Sequence, residues 1–570
     1  MMATAARFGW LVGPGAEDDD PDMRLARQRR RVTLAIAGFV LAFAVISIRL
    51  VDLSLSPQVG AEQKSAAELV PAVRRPDIVD RNGHILATDI QTASLFADAE
   101  RVLDVDEAIE QLTPVLPDLD VEDLRRKLQS KKRFVWIKRE LTPRQQSAIH
   151  NLGIPAFGFR KETRRVYPTG RAAAHALGAV NIDSQGIAGI EKYIEDHRDT
   201  LIQRTGEGGA VPPVALSIDL RVQYALRDEL VQATQKYSAL GGAGIVLDVK
   251  TGELLGMVSL PDYDPNQPAE ALEEKFLNRN TTGVYELGST FKTITSAMAL
   301  DYGVATMESR YDARTPIRVG RFRINDFHGE NRVLTVPEIF TYSSNIATAR
   351  MALDVGMDRH QAFLRRLHMM ERLKTEMPEA AMPLWPRDWK PVSTMTIAFG
   401  HGISVTPLHL AAAGAALVNG GLFMNPTLLR RDELGARAIA ERVVKPETSA
   451  NIRELMRLNV EKGTATHARV DGISVGGKTG TAEKVKNGRY DNAALLTSFL
   501  GMFPTEDPRY MVLIVLDEPK GIKETHGFRT SGWNAAPVTA KVIRRIAPML
   551  GILPRLDHKD PFGETAPAIN

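Results

Sequence analysis

A long apolar stretch stands near the beginning of the chain, at residues 32–48 (VTLAIAGFVLAFAVISI). It carries no charge over 17 residues, which is at the short end of what a helix needs to cross a hydrocarbon core. Apolar residues within 50–53 extend the stretch if Arg49 turns its guanidinium toward the membrane surface. The pattern therefore predicts a single transmembrane helix over residues 32–53.

Basic residues flank this stretch on one side. They precede it at Arg24, Arg27, Arg29, Arg30 and Arg31. After Arg49 the next basic residue is Lys64, so the positive-inside rule predicts a cytoplasmic tail at 1–31 and places the rest of the chain outside the cytoplasm. Two alternatives stay open. A cleaved signal peptide is disfavoured because its candidate site, 42–44 (AFA), lies inside the apolar run, and a buried core helix is disfavoured by the one-sided arginines.

Further along, short apolar runs alternate with helical patterns. Residues 244–248 (GIVLD) and 254–260 (LLGMVSL) predict a β-hairpin. Segments 291–300 and 408–417 carry apolar residues at helical spacing, and 510–516 is a β-branched run typical of a strand. This order predicts an α/β or α+β body in which helices pack against a sheet.

A Gly- and Pro-rich segment at 205–213 (TGEGGAVPP) predicts a linker between two domains. We therefore predict one domain at 54–213 and a second at 214–555. The last residues, 556–570, are predicted to form a flexible tail.

Composition narrows the classes of function. The chain has 570 residues, of which 44% are hydrophobic and 25% charged, and this is typical of globular domains with sizeable cores. The net charge of +3 is too small for a surface built to hold nucleic acid, so no nucleic-acid partner is expected. The absence of cysteine excludes disulfides, cysteine nucleophiles and cysteine metal sites.

Two common motifs overlap near residue 475. Residues 472–479 (GISVGGKT) fit the phosphate-binding loop G-x-x-x-x-G-K-[ST], which would indicate a nucleotide hydrolase. The predicted location outside the cytoplasm, the poor helix former Gly480 and the short chain after Asp517 disfavour it. Residues 472–476 also fit the nucleophile elbow G-x-S-x-G, but the following glycines disfavour the helix that this motif requires.

Three other segments carry candidate chemistry. Ser289-Thr290-Phe291-Lys292 opens a predicted helix, where free N–H groups stabilise an oxyanion and a neighbouring amine takes a proton once its pKa is lowered. Ser343-Ser344-Asn345 offers a hydroxyl and an amide before the next helical pattern. Lys478-Thr479-Gly480-Thr481 suits an edge strand, where Lys478 supplies positive charge, Gly480 lets a substrate backbone lie close, and Thr479 and Thr481 donate to a carboxylate. Taken alone, each segment is more simply interpreted as a helix cap or a turn.

Together and in this order, the three segments resemble the active-site motifs S-x-x-K, S-x-N and K-[ST]-G of penicillin-binding proteins and serine β-lactamases. Other stretches are similar to class B penicillin-binding proteins, namely 75–83 (RPDIVDRNG), 167–170 (YPTG), 186–191 (GIAGIE), 262–266 (DYDPN) and 400–407 (GHGISVTP). Within that class the chain most resembles the cell-division transpeptidases, because Asn345 stands where the elongation enzymes usually have Asp.

The resemblance implies an α+β fold: one transmembrane helix, an elongated non-catalytic pedestal of the dimerisation type, and a β-lactamase-like transpeptidase domain with helices packed on an antiparallel sheet. It also implies an inner-membrane protein with a periplasmic catalytic domain. The implied reaction is D,D-transpeptidation of peptidoglycan stem peptides that end in D-Ala-D-Ala, with β-lactams as inhibitors and without metal or other cofactors.

Roles follow by resemblance for the motif residues. Ser289 is the implied nucleophile, Lys292 the general base, and the N–H groups of Ser289 and Thr481 the oxyanion hole. Ser343, helped by Lys478, is implied to protonate the leaving D-alanine. Asn345 is implied to hold the peptide, and Thr479 and Thr481 to grip the terminal carboxylate.

Two positions depart from the family pattern: Leu287 stands where many relatives have Pro, and Pro76 where they have Gly. Residues 54–213 are too few for a fused glycosyltransferase, so the resemblance implies an FtsW-type membrane glycosyltransferase and other divisome proteins as partners. Two alternatives stay open: a D,D-carboxypeptidase or β-lactamase, in which water accepts the acyl group, and a non-catalytic β-lactam sensor or divisome scaffold.

Overall fold

A computed structural model describes residue 30 and residues 33–48, 75–198, 212–320, 322–486 and 488–555. The chain divides into two units, Met1–Arg74 and Arg75–Asn570. In the first unit, residues 33–48 are helical and their apolar side chains are exposed. Among the described residues, no helix is both long enough and apolar enough to span a membrane.

Parts of several predictions lie outside the described residues. These parts are the cytoplasmic tail except Arg30, residues 32 and 49–53 of the predicted span, most of the predicted linker, and the tail at 556–570.

The second unit begins with a five-stranded sheet. Its strands are β1 (Ile78–Val79), β2 (Ile85–Ala97), β3 (Val135–Leu141), β4 (Phe157–Val166) and β5 (Val214–Ala215). The order is β3-β2-β1-β5, with β4 also paired to β2, and only the β1–β5 pair is parallel. The helices here are α1 (Val105–Leu112), α2 (Val121–Leu128), α3 (Pro143–Asn151), α4 (Ala174–Leu177) and α5 (Gly189–Asp196). Apolar faces of α1, α2 and α3 share one core with β2 and β3.

A buried ion network ties this sheet to α5. The carboxylate of Glu191, which is 0% exposed, accepts hydrogen bonds from Arg75 Nε at 3.0 Å and Arg165 Nε at 2.7 Å. Arg165 also donates to the carbonyl of Pro76 at 2.9 Å, so the proline that departs from the family pattern is part of the network through its backbone oxygen.

A second sheet forms the centre of the remaining chain. Its strands are β6 (Gly241–Asp248), β7 (Leu254–Leu260), β14 (Gly476–Lys486), β15 (Arg489–Phe503) and β16 (Tyr510–Asp517). They follow the order β14-β15-β16-β6-β7, and every neighbouring pair is antiparallel. The predicted hairpin is confirmed as β6–β7. The α+β interpretation, with helices on an antiparallel sheet, is confirmed as well.

Helices cover both faces of this sheet. The helices in the described part of this region are α6 (Leu220–Lys236), α7 (Lys292–Asp301), α8 (Val336–Thr341), α9 (Asn345–Val355), α10 (Met357–Arg366), α11 (Pro391–Ile397), α12 (Pro407–Val418), α13 (Glu433–Ile439), α14 (Pro446–Lys462) and α15 (Ala535–Met549). Of these, α6 and α15 pack on one face of the sheet, and α7 and α12 pack on the other. Short strands complete the unit: β8 (Arg310–Asp312), β9 (Ile317–Val319), β10 (Phe322–Ile324), β11 (Val333–Thr335), β12 (Leu422–Phe423) and β13 (Glu441–Arg442).

Strand β16 shows why its sequence is a continuous apolar run. Met511, Leu513 and Val515 belong to the core shared with α7 and α12, whereas the alternate residues Val512 and Ile514 belong to the core shared with α6 and α15. Successive side chains of a strand point to opposite faces, so a strand covered on both faces is apolar at every position.

Candidate active site

Ser289 lies where a short turn runs into the central helix α7. Gly288–Phe291 forms a 3-10 turn and α7 begins at Lys292, so Ser289 precedes the α-helix that its segment was predicted to open. Phe291 and Lys292 are each 1% exposed, whereas Ser289 is partly exposed. The turn therefore leaves the serine partly accessible, whereas the lysine three residues later is buried.

Ser343 joins two lysines that are distant in the chain. Lys292 Nζ donates to Ser343 Oγ at 3.0 Å and also to the Ser343 carbonyl, and Lys478 Nζ lies 2.9 Å from the same Oγ. Ser343 has φ +60°, a left-handed conformation that non-glycine residues adopt at some cost. The structure thus brings Lys292, Ser343 and Lys478 into one cluster.

The electrostatics of the cluster favour neutral amines. Burial lowers the pKa of Lys478 to about 7. Burial, together with the neighbouring Lys478 ammonium, lowers the pKa of Lys292 well below its ordinary range, and the carboxylate of Asp326 opposes this shift. Burial and the Lys292 charge also lower the pKa of His401 to about 4. A buried amine with a lowered pKa is able to take a proton from a hydroxyl near neutral pH.

The turn before Ser289 packs directly on strand β14, which is an edge strand as predicted. Gly288 has φ +56°, and a Cβ there would lie 2.7 Å from the Thr481 carbonyl oxygen. A Cβ on Gly480 would lie 2.5 Å from both the Leu287 carbonyl oxygen and Ser498 Oγ. The protein's own backbone therefore requires glycine at 480, which differs from the expected reason, room for a substrate. Leu287, which replaces the family's proline, is buried and supplies that carbonyl.

The two threonine hydroxyls of β14 differ in their partners. Thr479 Oγ1 shares a hydrogen bond with Thr464 Oγ1 at 2.7 Å, and Thr464 Oγ1 also lies 3.2 Å from Asn459 Oδ1. If Thr464 donates to Asn459, Thr479 must supply the proton between the two hydroxyls. Thr481 Oγ1 instead accepts from the Ser531 N–H at 3.1 Å and keeps its own proton to donate. Thr481 is thus the better placed donor for a ligand carboxylate.

Asn345 is the first residue of α9 and is partly exposed. Its Nδ2 donates to the Asn325 carbonyl at 3.0 Å, which leaves the amide oxygen free to accept from a peptide N–H. Sequence reasoning missed Asn325, Asp326 and Thr464, because each supports a motif residue from outside any motif.

The two competing motifs near residue 475 are not supported. The phosphate-binding loop requires a helix after Thr479, but residues 476–486 form a strand and Lys478 is buried against Ser343. Ser474 donates to Glu506 and accepts from the Thr505 N–H, and a strand follows it rather than the helix of an elbow. Within the described ranges, no group of three or more His, Asp or Glu side chains is placed to hold a metal ion.

Comparisons with known proteins match most of the chain. Residues 242–544 match the penicillin binding protein transpeptidase domain, and residues 71–199 match the penicillin-binding protein dimerisation domain. The chain is 43% identical to the probable peptidoglycan D,D-transpeptidase FtsI of Caulobacter vibrioides over 84% of this chain and 82% of that protein. It is 32% identical to the probable peptidoglycan D,D-transpeptidase PenA of Neisseria gonorrhoeae, over 92% and 93%. It is 29% identical to the peptidoglycan D,D-transpeptidase FtsI of Escherichia coli, over 84% of each chain.

Proposed function

Because the chain belongs to the class B penicillin-binding proteins and is a peptidoglycan D,D-transpeptidase, we propose that it cross-links stem peptides at the division septum through an acyl-enzyme on Ser289. The observation that carries this proposal is the cluster in which Lys292 and Lys478 both reach the hydroxyl of Ser343. The septal role is supported by Asn345 and by two relatives that are named FtsI.

Acylation starts at Ser289. The neutral amine of Lys292 takes the Ser289 proton as the oxygen attacks the carbonyl between the last two D-alanines. The N–H groups of Ser289 and Thr481 stabilise the oxyanion, which is consistent with the close packing of Gly288 on the Thr481 backbone. Thr481 donates to the terminal carboxylate. Thr479 also donates to this carboxylate once its hydroxyl has given up the hydrogen bond with Thr464.

The leaving group takes its proton through Ser343. As the peptide C–N bond breaks, the Ser343 hydroxyl gives its proton to the departing D-alanine nitrogen and takes one from the Lys292 ammonium, which returns to the neutral amine, while Lys478 donates to the same hydroxyl. Asn345 orients the stem peptide. An amine of a second strand then attacks the ester, and Lys292 accepts its proton. As the ester C–O bond breaks, Lys292 passes this proton to the Ser289 oxygen, which leaves as the restored hydroxyl.

The setting of the enzyme is part of the proposal. Residues 32–53 form the single transmembrane anchor, 1–31 a cytoplasmic tail, and 54–213 a periplasmic pedestal for the catalytic domain at 214–555. An FtsW-type glycosyltransferase and other divisome proteins supply and organise the glycan strands. The relatives named FtsI support this setting through the family resemblance.

Covalent labelling of the full chain with a fluorescent penicillin tests the nucleophile. We expect the parent to be labelled on the peptide that contains Ser289, Ser289→Ala to be unlabelled, and Ser474→Ala, which removes the serine of the competing elbow motif, to be labelled like the parent. Label that persists in Ser289→Ala refutes the mechanism.

Product analysis separates the alternatives. With a D-Ala-D-Ala stem peptide and an amine acceptor, a transpeptidase yields cross-linked dimers. A carboxypeptidase or β-lactamase yields hydrolysed product alone. Rescue of division-arrested cells by Ser289→Ala, with normal septal cross-linking, would favour the scaffold role.

A further inference from the structure

The motif Ser343-Ser344-Asn345 is held from outside by two residues that follow strand β10. Asp326 Oδ2 accepts from Ser344 Oγ at 2.7 Å, and Asp326 Oδ1 accepts from the Ile346 N–H at 2.9 Å. The carbonyl of the preceding residue, Asn325, accepts from Asn345 Nδ2 at 3.0 Å. Three consecutive residues at the start of α9 are therefore bound to one short segment.

We call these hydrogen bonds between residues 325–326 and the start of α9 the clamp. The clamp lies next to a residue with a strained backbone conformation. Ser343 adopts φ +60° between the end of α8 and the start of α9, and such a conformation persists only when surrounding contacts hold it. Ser344 caps α9 by accepting from the Ala347 N–H at 3.1 Å while it donates to Asp326. A carboxylate is also the favoured charge at a helix N-terminus.

We propose that Asp326 is a positioning residue for acylation: its carboxylate fixes the start of α9, and with it Asn345 and the Ser343 hydroxyl that accepts from Lys292. This inference rests on the roles proposed above for Lys292 and Ser343. The Asp326 side chain itself does not touch the reacting atoms.

The negative charge of Asp326 changes the pKa of Lys292 in a direction that an experiment detects. Lys478 from β14 and Asp326 from the segment after β10 act on the Lys292 amine. The buried His401 also faces this amine, and the Lys292 charge lowers the pKa of His401. Burial and Lys478 favour the neutral amine, whereas Asp326 favours the ammonium. Asp326 thereby keeps Lys292 basic enough to take the Ser289 proton, because a base with too low a pKa is weak.

The test is the pH profile of acylation of the full chain by a chromogenic penicillin between pH 5 and 9. In Asp326→Asn, the acidic limb should move to lower pH by about one unit, since the ammonium of Lys292 loses its stabilising charge. The plateau rate constant should fall about tenfold, since Lys292 becomes a weaker base and α9 is held less firmly.

Two further variants distinguish the effect of the Asp326 charge from its effect on the position of α9. Ser344→Ala removes one contact of the clamp but keeps the Asp326 charge. The plateau rate constant of acylation should therefore fall in this variant, while the acidic limb of the pH profile stays at the same pH. Asp312→Asn removes an exposed carboxylate on β8, paired with Arg314 at 2.8 Å, and should change neither quantity.

Some outcomes would refute the role of Asp326, and another would refute the acylation mechanism itself. An unmoved limb in Asp326→Asn, or an equal shift in Asp312→Asn, overturns the role of Asp326 while leaving Ser289 acylation intact. If Asp326→Asn does not fold, Asp326→Glu keeps the charge, and a limb that moves in this variant overturns the inference. A parent chain that is not acylated on Ser289 refutes the proposed mechanism instead.

Discussion

Nζ of Lys478 lies 2.9 Å from the hydroxyl of Ser343, although the two residues are 135 positions apart in the chain. Lys478 is 0% exposed, so its amine has lost the solvation of water and has this hydroxyl as a close polar neighbour. An amine in such a place is costly for the fold, and its pKa is correspondingly lowered to about 7. The pair therefore links the stability of the protein to its proposed chemistry.

The proton-accepting role of Lys292 predicts that arginine does not replace it. Lys292→Arg keeps a positive charge but cannot deprotonate, so we expect the second-order rate constant of penicillin acylation to fall by about 10²–10⁴-fold. Lys250→Arg, on a lysine paired with Asp507 at the surface, is the matched control. A Lys292→Arg protein that is acylated within threefold of the parent would rule out the general base.

The hydroxyls of β14 predict unequal effects on ligand binding. Thr481→Val removes a free donor to the carboxylate and should slow acylation by roughly 10–100-fold, since a hydrogen bond to a charged group contributes about 1.5–3 kcal/mol. The Thr479 hydroxyl is hydrogen-bonded to Thr464, so Thr479→Val should slow acylation several-fold less than Thr481→Val does. Stopped-flow acylation with the same penicillin measures both, and equal losses would contradict the assignment.

The packing of Gly288 on β14 predicts a steric effect beyond backbone strain. Gly288→Ala adds a Cβ 2.7 Å from the Thr481 carbonyl oxygen at φ +56°, whereas Gly303→Ala adds one in open space at φ +67°. We expect Gly303→Ala to lower the free energy of unfolding by about 1 kcal/mol and Gly288→Ala to lower it by about 2–4 kcal/mol. Urea unfolding and penicillin acylation check this, and acylation should suffer only in Gly288→Ala.

The buried amine of Lys478 predicts a pH dependence of stability. Its pKa is about 7 in the folded protein against an ordinary value of 10.5, so the folded state binds fewer protons between these values and stability rises with pH through that window. Below about pH 7 the full cost applies, roughly 3–5 kcal/mol.

We therefore expect Lys478→Met to stabilise the protein at pH 6 and to lose that advantage by pH 10. Because the Lys478 ammonium also lowers the pKa of Lys292, the comparison is best made between Lys292→Met and the double variant Lys292→Met, Lys478→Met. A stability difference that stays constant from pH 6 to pH 10 would count against the lowered pKa of Lys478.

The ion network of the N-terminal sheet predicts a structural effect without a catalytic one. Glu191→Gln leaves the buried guanidinium groups of Arg75 and Arg165 without their shared carboxylate and should destabilise by about 3–5 kcal/mol. Asp106→Asn, which removes an exposed partner of Arg125, should change stability by less than about 1 kcal/mol. Unfolding is followed by circular dichroism, and the acylation rate of the folded Glu191→Gln protein should match the parent.

Patterns along the chain were enough to predict the local elements and to identify the chemical groups. Apolar periodicity located the β6–β7 hairpin and the helices α7 and α12, because burial of one face repeats at a fixed spacing along the chain. The three motifs singled out Ser289, Ser343 and Lys478, and the edge position of β14 was expected from its glycine and flanking pattern.

How these groups come together in space follows from the folded chain and not from any local pattern. The bonds from Lys292 and Lys478 to Ser343 cross 51 and 135 residues, and Thr464 beside Thr479 and Ser498 beside Gly480 come from segments that no motif marks. Asp326 likewise becomes significant through its contacts with α9. Periodicity records what each segment buries, but which segment lies against which depends on sheet order and helix packing, and those are set by contacts between residues far apart in the chain.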